Sequence, residues 1–150
     1  MNVLEAYKLA ATLHSGQVDQ AGRPYIEHLS RVFVRVMERG GSRNQKVAAL
    51  LHDAIDVGLV TAESLLDANV PAAVVSLVIL LTRLPNEDYL AYLGRVALCA
   101  DAVLVKQCDL QDNLDEDRLK ALPWITAQRL RQKYEQALVV LGAEDDRILA

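Results

Sequence analysis

The chain has 150 residues, 52% hydrophobic and 24% charged, with 16 Lys plus Arg against 20 Asp plus Glu and a formal net charge of −4; this is the make-up of one globular domain over residues 1–150. The acidic balance excludes a nucleic-acid surface, which needs a concentrated basic face, and a chain of this length buries roughly 68–70% of its unfolded surface without needing a disulfide or structural metal. Cys99 and Cys108 lack CxxC spacing, which excludes a disulfide framework and reads as reduced core cysteines of a cytoplasmic protein.

Charges at Glu5 and Lys8 predict no targeting segment. From there Val3, Ala6, Tyr7, Ala10, Leu13 and His14 recur at helical spacing, predicting a first helix that ends near Ser15 and Gly16. Two glycines and a proline make residues 16–24 a loop, followed by a helix from Tyr25 with Ile26, Leu29, Val32, Phe33, Val36 and Met37 inward, stopped by Gly40 and Gly41. Ser42 caps the next helix, whose Val47, Ala48, Leu50, Leu51 and Ile55 mark an element surrounded by protein. Thr61 opens a short helix to about Ala68, and Pro71 stands in the first turn of residues 72–82. That apolar run, from Val70 to Leu81, is interrupted by Pro71 and Ser76 and is shorter than the ~20 residues a bilayer requires, so no membrane partner is expected. Pro85 separates it from residues 88–99, Asp101 caps residues 102–113, and a last helix runs over residues 123–141 until Gly142. No strict alternation, repeat or low-complexity tract interrupts this reading. The expected fold class is all-α, with seven to nine helices.

The three histidines, His14, His28 and His52, each fall near a helix end, and His52 is followed by Asp53. Histidine with carboxylate is a mixed nitrogen and oxygen ligand set suited to manganese, iron or zinc. A His-Asp dipeptide alone is better read as a core or capping pair satisfied by backbone carbonyls. Asp109 adds weight to the metal reading, because it lies in the apolar stretch Val103-Leu104-Val105-Lys106-Gln107-Cys108-Asp109-Leu110, where an unpartnered carboxylate is costly.

Four segments in order carry a family resemblance: His14-Ser15-Gly16-Gln17; Ala21-Gly22-Arg23-Pro24-Tyr25-Ile26-Glu27-His28; Ala49-Leu50-Leu51-His52-Asp53; and Val105 through Asn113. Together they resemble the HD-domain phosphohydrolases, and more narrowly the hydrolase domain of the RelA/SpoT family and its single-domain relatives. The resemblance spans residues 5 to 115. It implies an all-α fold and a manganese ion held by His28, His52, Asp53 and Asp109, with Asp53 and Asp56 carrying the chemistry. A divalent ion would lower the pKa of water and neutralise charge on a phosphoryl oxygen. His14 is expected to hold the loop or stand outside the ligand shell, and Tyr25 to pack.

The chain departs from the alarmone hydrolases at two places. Their Glu-Asp or Glu-Glu diad becomes Asp56 and Val57; Asp56, four residues after His52, is expected on the same helix face, holding the attacking water. Their basic loop pair becomes Asp19 and Gln20, where an acidic residue would repel phosphate. Arg23 is a replacement cation, Asn113 matches an asparagine that faces the nucleotide, and Glu116 stands where a small hydroxyl residue is common. Lys106 reads either as a phosphate partner or as a salt bridge to Asp53 or Asp56. Arg83, in Leu81-Thr82-Arg83, is a weaker substrate candidate, and Trp124 a packing anchor. The expected function is a metal-dependent phosphohydrolase acting on a small phosphorylated nucleotide, of the guanosine 3′,5′-bis(diphosphate) 3′-pyrophosphohydrolase type, as a monomer or homodimer. The alternative is a nucleotide-binding regulatory module with weakened catalysis.

Overall fold

The computed structural model describes residues 1–142, and among them are nine helices: α1 (Val3–Leu13), α2 (Tyr25–Glu38), α3 (Arg43–Leu51), α4 (Ala62–Asp67), α5 (Ala72–Leu80), α6 (Tyr89–Val96), α7 (Ala100–Asn113), α8 (Glu116–Lys120) and α9 (Trp124–Val140). The class is all-α. No helix among the described residues is long and apolar enough to cross a membrane.

Local chemistry accounts for most boundaries. Asn2, Ser42 and Thr61 each accept the N3 backbone N–H of α1, α3 and α4 in a capping box, and Asp88 caps α6 through the N–H groups of Leu90 and Ala91; each cap is worth about 1 kcal/mol. The chain leaves α2 through Gly40 at φ +76°, a left-handed conformation that glycine adopts without a Cβ penalty.

Five features differ from the sequence reading. Pro71 and Pro123 occupy the N-cap positions of α5 and α9 instead of their first turns. Helix α7 starts at Ala100, so Asp101 lies in its first turn, where its charge favours the positive helix end without capping it. Helix α8 has no counterpart in the sequence reading; Asp115 nucleates it by accepting from the backbone N–H of Asp117 and Arg118. Residues 52–58 form consecutive turns after α3 instead of continuing it.

Helix α3 is the centre of the packing. Val47, Ala48, Ala49, Leu50 and Leu51 are all buried, because α3 is contacted by α1, α2, α5 and α7, while α7 is held in turn by α2, α3 and α9. Burying a leucine such as Leu29, Leu50, Leu51 or Leu110 contributes roughly 1.5–3 kcal/mol each. Cys108 joins this core and Cys99 is half-buried; neither is disulfide-bonded. Trp124 is 73% exposed and anchors nothing: at the first residue of α9 its ring lies outside the small cluster of Leu119, Ala127 and Leu130 that seats this helix on α8. The arrangement carries His28 on α2, His52 and Asp53 at the end of α3, and Asp109 on α7 to one place.

Candidate metal centre

His28 lies one turn into α2 and is buried. Its Nδ1 is 2.6 Å from Asp112 Oδ2, an acceptor-only carboxylate, so Nδ1 carries the proton and donates it. The opposite nitrogen, Nε2, is 2.9 Å from Asp109 Oδ1. His52 repeats the pattern: Nδ1 donates to the Ala49 carbonyl at 2.7 Å, and Nε2 lies 3.2 Å from Asp53 Oδ2 and 3.3 Å from Asp109 Oδ1. Anchoring one ring nitrogen orients the other, which is how metal-binding histidines are fixed.

The ligand atoms of His28, His52, Asp53 and Asp109 all lie within 4.8 Å of one another. Donors at ~2.0–2.3 Å around one ion stand roughly 3–4 Å from their neighbours, so the four fit a common centre. Their chemistry fits as well: two imidazole nitrogens and two carboxylates suit a divalent transition metal. Burial opposes a proton on either imidazole, yet Asp109 and Asp112 beside His28, and Asp53 and Asp109 beside His52, outweigh it and raise both pKa values. A divalent cation can replace those imidazole protons with little change in local charge.

Both carboxylates have a further partner. Tyr25 donates its hydroxyl to Asp53 Oδ2, so this tyrosine does more than pack, and burial followed by the Asp53 charge pushes its own pKa up. Lys106 Nζ meets Asp109 Oδ2 at 2.9 Å. Burial works against the Lys106 charge, but Asp109 overrides it and raises the lysine further. The salt bridge read for Lys106 thus exists, with Asp109 as partner instead of Asp53 or Asp56. His14 holds the loop as expected: Nδ1 donates to Gln17 Oε1 at 2.8 Å and the ring stacks on Tyr25 at 5.1 Å.

Beside these four ligands lies a cleft of about 380 Å³ lined by Asp56, Asn113, Lys106 and Arg83 among others. Asp56 enters it from a turn, not from a helix face, and burial and then the Asp53 charge lift its carboxyl above the usual range. Val57 is 42% exposed. Arg23 is not brought to the cleft; its guanidinium turns outward to Glu27 at 2.6 Å with 67% of the side chain exposed. Glu116 pairs with Arg131 at 3.0 Å.

Two residues absent from the sequence reading are central. Asp112 is fully buried and accepts from His28, from Arg31 Nε at 2.8 Å and from Arg118 Nη1 at 2.8 Å. Burial raises its pKa, but these bonds prevail and lower it. Arg118 also donates to Asn113 Oδ1 at 3.1 Å and reaches Asp19 Oδ2 at 3.3 Å, which leaves the Asn113 amide nitrogen as a donor for another partner. The spacing of Asp112 three residues after Asp109 was a usable signal; that of Arg118, 90 residues from His28, was not.

The family model described as HD domain matches residues 6–107. Among solved structures, the chain is similar to a metazoan ortholog of SpoT described as hydrolyzing ppGpp and playing a role in starvation responses. The TM-score is 0.78 with 22% identity, covering 93% of this chain and 84% of that one; an identity this low shows a shared fold. No curated protein sequence matches the chain.

Proposed function

The chain belongs to the HD-domain family, and on that premise we propose that it is a metal-dependent phosphohydrolase acting on a small phosphorylated nucleotide. The observation that carries this reading is the convergence of His28 Nε2, His52 Nε2 and one oxygen each of Asp53 and Asp109 beside an open cleft. The four would hold manganese, whose mixed nitrogen and oxygen preference they meet. A bound divalent ion supplies a Lewis acid and brings the ionisation of water towards neutral pH.

Every other part is played by side chains. Asp56, whose carboxylate burial and the Asp53 charge make more basic, takes a proton from the attacking water. Lys106 acts on the centre through Asp109, fixing that carboxylate's second oxygen. Asn113 presents its amide to the substrate because Arg118 occupies its carbonyl. Val57 brings no second acid to the turn, and this favours one competing reading, a site that binds nucleotide without turnover.

A panel of phosphorylated nucleotides, with guanosine 3′,5′-bis(diphosphate) among them, assayed with added manganese separates the two. Hydrolysis of at least one member, abolished by chelator, is the expected result. Measurable binding with no product from any member would favour the non-catalytic module.

A further inference from the structure

The guanidinium of Arg118, on α8, joins the loop before α2 to a partner of the metal centre. Its Nη1 donates to Asp112 Oδ2 at 2.8 Å, to the Asp112 carbonyl at 3.3 Å and to Asn113 Oδ1 at 3.1 Å, all on α7. Its Nη2 donates to Asp19 Oδ2 at 3.3 Å. Asp112 Oδ2 is the same oxygen that accepts from His28 Nδ1 at 2.6 Å, so Nη1 and Nδ1 converge on it and stand 3.2 Å apart. The other Asp112 oxygen accepts from Arg31 Nε at 2.8 Å.

The loop end of this link is equally defined. Asp19 Oδ1 accepts from the backbone N–H of Ala21 at 2.9 Å and of Arg23 at 3.0 Å, and the Asp19 N–H donates to the Arg23 carbonyl at 2.8 Å. Val18 and Pro24 pair beside it as an isolated antiparallel bridge. One carboxylate therefore closes the turn with one oxygen and holds Arg118 with the other. Val18, Asp19, Gln20 and Ala21 line the cleft beside the metal centre.

Asp112 is fully buried, and a buried charge that loses one of its partners is strongly destabilised. A guanidinium is planar and presents its N–H groups in a fixed fork, so one rigid group sets the span from Asp19 to Asp112. Moving the loop moves one prong, and the other prong shares an acceptor with His28, whose Nε2 faces Asp109. His52 has no such link: its Nδ1 is fixed by the Ala49 carbonyl of its own helix end.

Resting on the metal-centre reading above, we propose that Arg118 is a positioning residue that couples the loop over residues 18–24 to the ligand His28. The loop seated on Arg118 sets the His28 imidazole for the ion, and the bound ion in turn holds the loop at the cleft. Coupling of this kind is reciprocal, so loop and ion reinforce each other although no loop residue is a ligand.

The test first reads His28 without metal, through its Nδ1–H resonance in isotope-labelled protein stripped with EDTA. Arg118→Lys keeps the charge but replaces the fork with one ammonium, which meets Asp112 or Asp19 but not both. Asp19→Asn keeps the turn, since its carbonyl still accepts from Ala21 and Arg23, and loses the ion pair. Circular dichroism checks the fold of each. Both variants are expected to shift the His28 resonance. In calorimetric titrations Arg118→Lys should weaken manganese binding about tenfold, as loss of a partner behind a ligating histidine does, and Asp19→Asn by less. The double variant should bind no more weakly than Arg118→Lys alone, because both changes cut one link. Manganese should slow hydrogen exchange at the backbone amides of residues 19–23 in wild type and leave them unchanged in Arg118→Lys. An Asp19→Asn protein with the wild-type His28 resonance and manganese affinity would overturn the coupling. Additive losses in the double variant, or loop protection by manganese that survives in Arg118→Lys, would do the same. A His28 resonance that responds to Asp19→Asn in a protein that takes up no manganese would support the link from loop to histidine while ending the metal reading.

Discussion

Asp19 stands in the loop before α2, where a free carboxylate would repel phosphate, but its charge is already engaged. It accepts from the backbone N–H of Ala21 at 2.9 Å and Arg23 at 3.0 Å and pairs with Arg118 at 3.3 Å. Burial acts to raise its pKa; the two backbone bonds and Arg118 outweigh it. Nothing in the local sequence announces a partner 99 residues away, so the carboxylate expected to repel phosphate is a tie between the loop and α8. His52, Asp53 and Asp109 were legible because a charge in an apolar run needs a partner. The outward pairing of Arg23 was legible too, at i,i+4 from Glu27. Placing a cation at position 19 would therefore set it against Arg118. Asp19→Arg is expected to lower stability by about 1–3 kcal/mol and to reduce phosphohydrolysis, with Asp19→Asn milder because its carbonyl can still accept from Ala21 and Arg23. Urea unfolding of both variants checks this; an Asp19→Arg protein as stable as wild type and faster on a nucleotide would show that the tie is dispensable.

At the scale of elements, caps, glycines and prolines located the starts of α2 to α6 to within a residue or so, since these signals act within one turn. Helix α8 has only five residues, too few for a hydrophobic period, and the turns over residues 52–58 replace a helix although Asp53 and Asp56 keep helix-like spacing. The local signal for α8 is only the Asp115 cap. The turn joining α2 to α3 matters to the metal centre because those helices carry His28 and His52. A Cβ on Gly41 would overlap Val36 Cγ1 and lie 2.9 Å from the Val36 carbonyl oxygen, whereas one on Gly94, inside α6, meets nothing within 4 Å. Gly41→Ala should destabilise by about 1–3 kcal/mol through overpacking and weaken manganese uptake by shifting α2 against α3. Gly94→Ala should stabilise by roughly 0.5–1 kcal/mol, from helix propensity alone. Thermal midpoints of the two would move in opposite directions; a neutral Gly41→Ala would show that the α2–α3 junction yields freely.

For the whole molecule, helical spacing without strand alternation foretold the all-α class, and the four segments contain the His28, His52, Asp53 and Asp109 side chains that meet only in the folded chain. The far lining of the cleft was not foreseen: Tyr89, Tyr92, Lys133 and Tyr134 come from two helices whose pairing no local pattern encodes. Several of the acidic residues behind the net charge of −4 are engaged with the arginines and histidines of the centre. An ion bound to the native state alone also stabilises the fold by mass action, about 2.7 kcal/mol at a hundredfold excess over Kd. Removing one ligand while keeping its shape tests the metal centre most directly: manganese content and phosphate release, measured together on wild type and Asp109→Asn. Wild type is expected to hold about one ion per chain and to release phosphate only when loaded, and the variant to lose both while remaining folded. An Asp109→Asn protein that keeps its manganese and its rate would contradict a catalytic centre built on His28, His52, Asp53 and Asp109.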